Sequence, residues 1–135
     1  TNNLERTSHD SWQPKSWVVG VVAGKQSRAY DWLELKEKAL INDTLNSFPV
    51  LLAIGSDTLS FHVWDRRVNG ITLNFIKHDS TSYFYDQLTH STWNYSGECI
   101  AGELSGSKLN KVSSYQEFWH SWRTFHSGTT RYEIP

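Results

Sequence analysis

The chain has 135 residues, 13 basic against 14 acidic side chains, 38% hydrophobic residues, seven Trp, one Cys and no Met. That length suits one domain with a core of its own, and a 14% aromatic content argues against a disordered chain. A formal charge of −1, with no basic run longer than Arg66-Arg67, argues against nucleic acid as a partner.

The lone Cys99 cannot close an intramolecular disulfide or build a zinc ribbon. The longest apolar run, 48–54, is far shorter than the roughly 18 to 20 residues that span a bilayer, so no direct membrane span is expected. The sequence opens at Thr1 and carries no Met, which leads us to expect that the initiator, and with it any localisation signal, has been removed.

Residues 1–16 are polar and lack periodicity, the pattern of an arm or linker ahead of a single β-rich domain over 17–135. From Trp17, valines around Gly20, then Gly24-Lys25 and a second run to Tyr30, predict a hairpin. Asp31 with Glu34 forms a helix-starting pair, and Trp32, Leu35, Ala39 and Leu40 recur at helical spacing, predicting a short helix near 31–41. The apolar run 49–54 and the alternating 58–63 predict strands, and Asn69-Gly70 before the alternating 71–75 is a strong two-residue hairpin signal. Short strands are expected at 82–85, 92–95, 98–101 and 108–112, between glycine turns. Ser114 with Glu117, followed by Phe118, Trp122 and Phe125 at helical spacing, predicts a C-terminal amphipathic helix near 114–126. The expected class is α+β, mainly antiparallel sheet with these two helices.

Signals for chemistry are sparse. There is no G-x-S-x-G elbow, and Gly55-Ser56-Asp57 reads as a turn. Six histidines form neither H-x-H nor H-E-x-x-H, so neither metal nor cofactor is expected, and Cys99 beside Ile100 and Ala101 reads as a buried, inert thiol. Trp17, Trp93, Trp119 and Trp122 fall where large rings fill a small core. Trp12 and Trp64 are left as candidate interface anchors, or as sugar-stacking platforms in a carbohydrate-binding module. Asn42 and Asn94 head N-x-S/T sequons, which matter only in a glycosylating pathway.

Val19-Gly20-Val21, Arg28-Ala29-Tyr30, Asn42-Asp43-Thr44, Tyr85-Asp86-Gln87 with Thr89, Ser91 and Trp93, then Gly97, Ala101-Gly102, Gly106, Leu109, Trp119 and Trp122-Arg123, stand in a characteristic order. From about Val18 to Tyr132 the chain resembles the bacterial domain-of-unknown-function family 3179, most of all in the Y-D-x-x-T-x-S-x-W segment ending at Trp93. The resemblance implies an extracytoplasmic bacterial setting and no particular reaction. Members of that family typically carry a His-Glu pair shortly before the Asn-Asp and a Cys-Pro-x-Cys loop after the apolar strand, groups suited to a soft metal or a redox dithiol. Here Lys38-Ala39 stands at the first place and Ala53-Ile54-Gly55-Ser56-Asp57 at the second, about three residues shorter.

Among the residues shared with the family, Arg28, Asp43 and Asp86 are candidates for internal charge pairing. The favoured expectation is a non-catalytic binding or structural domain, an accessory subunit or domain of a larger extracytoplasmic assembly. The redox look of the family's loop suggests a respiratory or cytochrome-type assembly as protein partner. The alternative is an enzyme or small-ligand-binding protein with a pocket around Arg28, Asp43, Asp57 and His62, where Arg28 clamps an anion and Asp57 or His62 serves as acid or base.

Overall fold

A computed structural model describes residues 11–55, 57, 59–79 and 82–133. Residues 1–10 of the expected polar arm lie outside the described residues. Ser11 to Ser16 pack on the body of the protein: the Ser11 hydroxyl donates to Asp31 at 2.9 Å, and the Trp12 ring meets Trp119 edge-on at 5.0 Å.

The valine run and its successor form β1 (Trp17–Ala23) and β2 (Gln26–Asp31), turned through Gly24 at φ +60°. Asp31 then caps α1 (Trp32–Lys38) by accepting the Glu34 N–H at 3.1 Å. The helix is shorter than the expected 31–41. Ala39 turns to φ 66°, and the chain enters β3 (Leu40–Leu45), which pairs with β4 (Phe48–Ile54), itself paired with β5 (Phe61–Asp65). Pairing with β4 outweighs the helical spacing of Ala39 and Leu40.

The Asn69-Gly70 hairpin is present, with φ of 52° and 79°, between β6 (Arg67–Val68) and β7 (Ile71–Thr72). The expected continuous strand over 71–75 is broken, because the buried Arg66 guanidinium takes the Leu73 carbonyl and the Asn74 side chain, both at 2.9 Å. The chain resumes as β8 (Phe75–Lys77), followed by β9 (Tyr83–Asp86), β10 (Thr92–Asn94) and β11 (Cys99–Ala101). The expected strand at 108–112 is reduced to single bridges at Lys108 and Lys111.

The C-terminal expectation shifts most. Ser113–Phe118 is strand β12, paired with β1 over six residues, so Ser114 and Glu117 cap nothing. Helix α2 (Trp119–Phe125) starts after Phe118 without a side-chain cap, and its buried residues are Trp119 and Trp122, while Phe125 is 79% exposed. The chain then closes with β13 (Thr130–Arg131) parallel to β2.

The sheets stack in layers. One has strand order β12-β1-β2-β13, the next β3-β4-β5 and a third β11-β10-β9-β8. Alternation along β1 sends Val19 and Val21 into a core shared with Tyr30, Leu35, Ile41, Leu52 and Val63. Val18 instead packs with Ala29 beneath Trp119 and Trp122 of α2. The far side of β3-β4-β5 gives Leu51, Ala53 and Trp64 to a second core with Phe75, Phe84 and Trp93. With a core on either face, β4 has no solvent side, which is why it reads as an unbroken apolar run. Gly20 makes the α2 packing possible, since a Cβ there would stand 2.4 Å from the Trp122 ring.

Candidate functional site

Arg28 and Tyr30 project from one face of β2 toward Asp43 on β3. Arg28 reaches the Asp43 carboxylate at 2.8 Å, the Tyr30 hydroxyl donates to the same oxygen at 2.7 Å, and the Arg28 Nε donates to Thr130 at 2.9 Å. Burial would lower the Arg28 pKa, but bonding to Asp43 more than offsets it and holds the guanidinium above its ordinary value. Burial, then the Asp43 charge, pushes the Tyr30 phenol far up. Behind them, Arg66 is only 5% exposed. Its donors reach the carbonyls of Val50, Leu73 and Asp43 and the side chains of Asn74 and Thr44, at 2.9 to 3.0 Å. In the sequence Arg66 stands only as half of a basic pair, and nothing in its neighbours marks a buried guanidinium. Arg28, Tyr30 and Asp43 thus join β2, β3 and β13, and Arg66 joins β3 to β4 and to the 73–74 segment.

The other two members of the expected pocket lie elsewhere. Asp43 pairs with Val50 and Asp65 across the sheet, whereas His62 pairs with Ala53, an odd number of positions along the strands, so the two project from opposite faces. His62 stacks on Trp64 at 5.0 Å, almost parallel, beside Lys111 and Val112. Burial, then the Lys111 charge, lowers the His62 pKa, with Asp57 pulling weakly the other way. Asp57 sits in the exposed β4–β5 turn, where its carboxylate accepts the N–H groups of Leu59 and Ser60 and the Ser60 hydroxyl, all at 2.9 Å; these bonds hold its pKa down. Arg28 and Asp43 thus meet on one face of the sheet, while His62 lies on the opposite face and Asp57 in the turn.

The aromatic expectations divide as well. Trp64 is 1% exposed and packs against Phe84 and Gly97, so it is a core residue and neither an interface anchor nor a sugar platform. Trp12 is half-buried between Trp119 and the Arg131 guanidinium, 4.9 Å from its ring. The exposed aromatic pair is Trp17 with Phe118, ring centres 4.3 Å apart, at the end of β1 and β12. Beside it a cleft of about 400 Å³ is lined by Gln13, Lys15, Trp17, Asp31, Trp32 and Leu33.

The segment from Asp86 to Trp93 forms a buried polar knot at the β9–β10 turn. The Asp86 carboxylate, fully buried, accepts the Thr89 N–H, the Thr89 hydroxyl at 2.8 Å and the Trp93 indole N–H at 3.0 Å, so its partners are neutral donors and not a cation. Burial alone would raise its pKa, yet these bonds outweigh burial and hold it below the ordinary carboxylate range. The Ser91 hydroxyl, 2.7 Å from that of Thr89, accepts the Leu104 N–H at 3.1 Å. Nearby Cys99 is buried, and burial pushes its thiol pKa up. Asn42 is tied down as well: its amide donates to the Phe75 carbonyl at 2.9 Å and accepts the Phe75 N–H at 2.8 Å, which fastens β3 to β8.

Residues 2–129 match the family model of DUF3179, a protein of unknown function. The chain belongs to the DUF3179 family. No curated protein and no solved structure matches it. It is a divergent DUF3179 member: it carries one cysteine, and among the described residues no three His, Cys, Asp or Glu side chains group where they could hold a metal ion. The two places where the resemblance puts reactive groups are neighbours in space, for the Ile54 N–H at the end of β4 donates to the Ala39 carbonyl at 2.9 Å. In this DUF3179 chain that place holds Lys38, Ala39 and the short turn capped by Asp57. Among the described residues, no helix is long and apolar enough to cross a membrane.

Proposed function

We propose that this DUF3179 chain is a non-catalytic protein-binding domain, an accessory subunit or domain of an extracytoplasmic bacterial assembly. The observation that carries the reading is the contact between Ala39 and Ile54: the two segments that would bring a His-Glu pair and a dithiol together meet here and themselves supply neither imidazole nor thiol, while the neighbouring His62 is stacked on Trp64. The scaffold around that place is kept by polar networks at Arg28, Arg66 and Asp86, which tie these groups to neighbouring strands and turns.

The surface assigned to the partner is the cleft beside Trp17 and Leu33, 46% and 37% exposed, where indole faces suit an apolar anchor side chain. The extracytoplasmic setting rests on the family resemblance, as does the choice of a respiratory or cytochrome-type assembly as the partner to seek first.

The test places a photo-crosslinking residue at Leu33, and in a separate variant at Glu103, in the full chain within its native host. One protein adduct from Leu33 that Trp17→Ala abolishes, with none from Glu103, supports the proposal, provided Trp17→Ala keeps the wild-type melting curve. Equal adducts from both positions, or a natively purified monomer carrying a stoichiometric metal or small molecule, overturn it.

A further inference from the structure

Most sheet edges of this protein are covered. The β3 edge is stitched to Phe75 through the Asn42 side chain, β5 is flanked by bonds from Asp65 to Asn110 and from Val112 to Val63, and β13 lies along β2. The outer edge of β12 differs. Among the described residues it pairs with β1 alone, over six consecutive registered positions, with no bulge and no proline. Folded proteins commonly blunt such an edge, because a row of unpaired N–H and C=O groups is a template for another strand.

The phase of the ladder shows which groups point outward. Trp119 N–H bonds the Ser16 carbonyl at 2.8 Å, in register with the Trp17–Phe118 pair that follows. Antiparallel pairs alternate between bonded and non-bonded, so Glu117, Tyr115 and Ser113 bond to β1, while Ser114, Gln116 and Phe118 turn their backbone groups away from it. The Phe118 carbonyl accepts the first bond of α2, which leaves both groups of Ser114 and Gln116 and the N–H of Phe118.

We infer that this edge pairs with the same edge of a second copy of the chain, antiparallel about a two-fold axis at Gln116. In that register Gln116 exchanges two bonds with its counterpart, and each Phe118 N–H meets the other copy's Ser114 carbonyl. The pairing is self-complementary, as a two-fold contact requires. It also meets no electrostatic obstacle: the facing side chains are Gln116 with Gln116 and Ser114 with Phe118 on one face, Tyr115 with Glu117 on the other, so no like charges oppose. The cleft at Leu33 adjoins the Trp17–Phe118 end of this edge, but the two readings are tested apart: crosslinking from Leu33 reports a partner protein and the Gln116 variants report self-association, so either can fail alone.

Sedimentation equilibrium of the full chain, under reducing conditions so that Cys99 cannot crosslink, tests the inference. Wild type should show a concentration-dependent monomer–dimer equilibrium. Gln116→Lys sets two like charges across the axis and should raise the dissociation constant about tenfold. Gln116→Glu should do the same, and an equimolar mixture of the two variants should recover dimer as a heterodimer. Both variants should keep the wild-type far-UV circular dichroism and melting curve, since Gln116 makes no ladder bond to β1. A wild-type chain that stays monomeric across the concentration range, a dimer that Gln116→Lys does not weaken, or a mixture that does not re-form it overturns the inference.

Discussion

Asp86→Asn is nearly isosteric and removes the charge at the centre of the β9–β10 knot. The carboxylate accepts from Thr89 twice and from the Trp93 indole at 3.0 Å. An amide keeps one acceptor oxygen for Thr89 and turns its NH₂ toward the indole N–H, two donors face to face in a fully buried site. Losing one charge-assisted bond and stranding a buried donor costs about 1.5–3 kcal/mol. With an unfolding entropy near 2.1 cal/mol/K per residue over 135 residues, that lowers Tm by roughly 5–10 °C.

The pH dependence separates this account from loss of shape alone. A carboxylate whose folded pKa lies below its unfolded value stabilises fully above the unfolded value near 3.9, and that stability fades as pH falls through the folded value. The gap between wild type and Asp86→Asn should therefore be full at neutral pH and narrow below about pH 4. Differential scanning calorimetry across that range is the assay. A variant melting within about 2 °C of wild type at pH 7, or a gap unchanged at low pH, would refute the reasoning.

Gly20→Ala drives a methyl to within 2.4 Å of the Trp122 ring; it should destabilise by about 1–3 kcal/mol by chemical denaturation, and the cost should largely vanish in a Trp122→Ala background. His62 has a lowered folded pKa, so the unfolded chain takes up its proton first: stability is lost as pH falls from the unfolded value near 6.5 toward the folded one. His62→Phe should keep the stack on Trp64 and show a smaller drop in Tm between about pH 7 and pH 5 than wild type.

Local signals were readable where the chain decides locally. The Gly24 and Asn69-Gly70 turns, the Asp31 cap and the apolar β4 each carry their cause in adjacent residues. The errors arose where distant pairing decided. Ser114 and Glu117 mimic a capping box, yet six pairings with β1 hold them in a strand, and the helix starts at Trp119 so that Trp122 can sit over Gly20. The spread of the candidate pocket residues has a related cause. Arg28 and Asp43 do meet, but the face on which His62 lies follows from the β4–β5 register, which periodicity within one strand does not reveal. The burial of Trp64 is illegible locally because its partners, Phe84 and Gly97, come from a later part of the chain.

The position of β4 between two cores has a consequence for how the protein comes apart. Val50 and Leu52 serve one core, Leu51 and Ala53 the other, so neither core survives withdrawal of that strand. Heat or denaturant should then melt both in one cooperative transition, with no half-folded species in which one survives alone. A proteolytic fragment ending before β8 would leave the Leu51 face open to water and prone to aggregate, so dissection of this chain into smaller working pieces should fail at that strand.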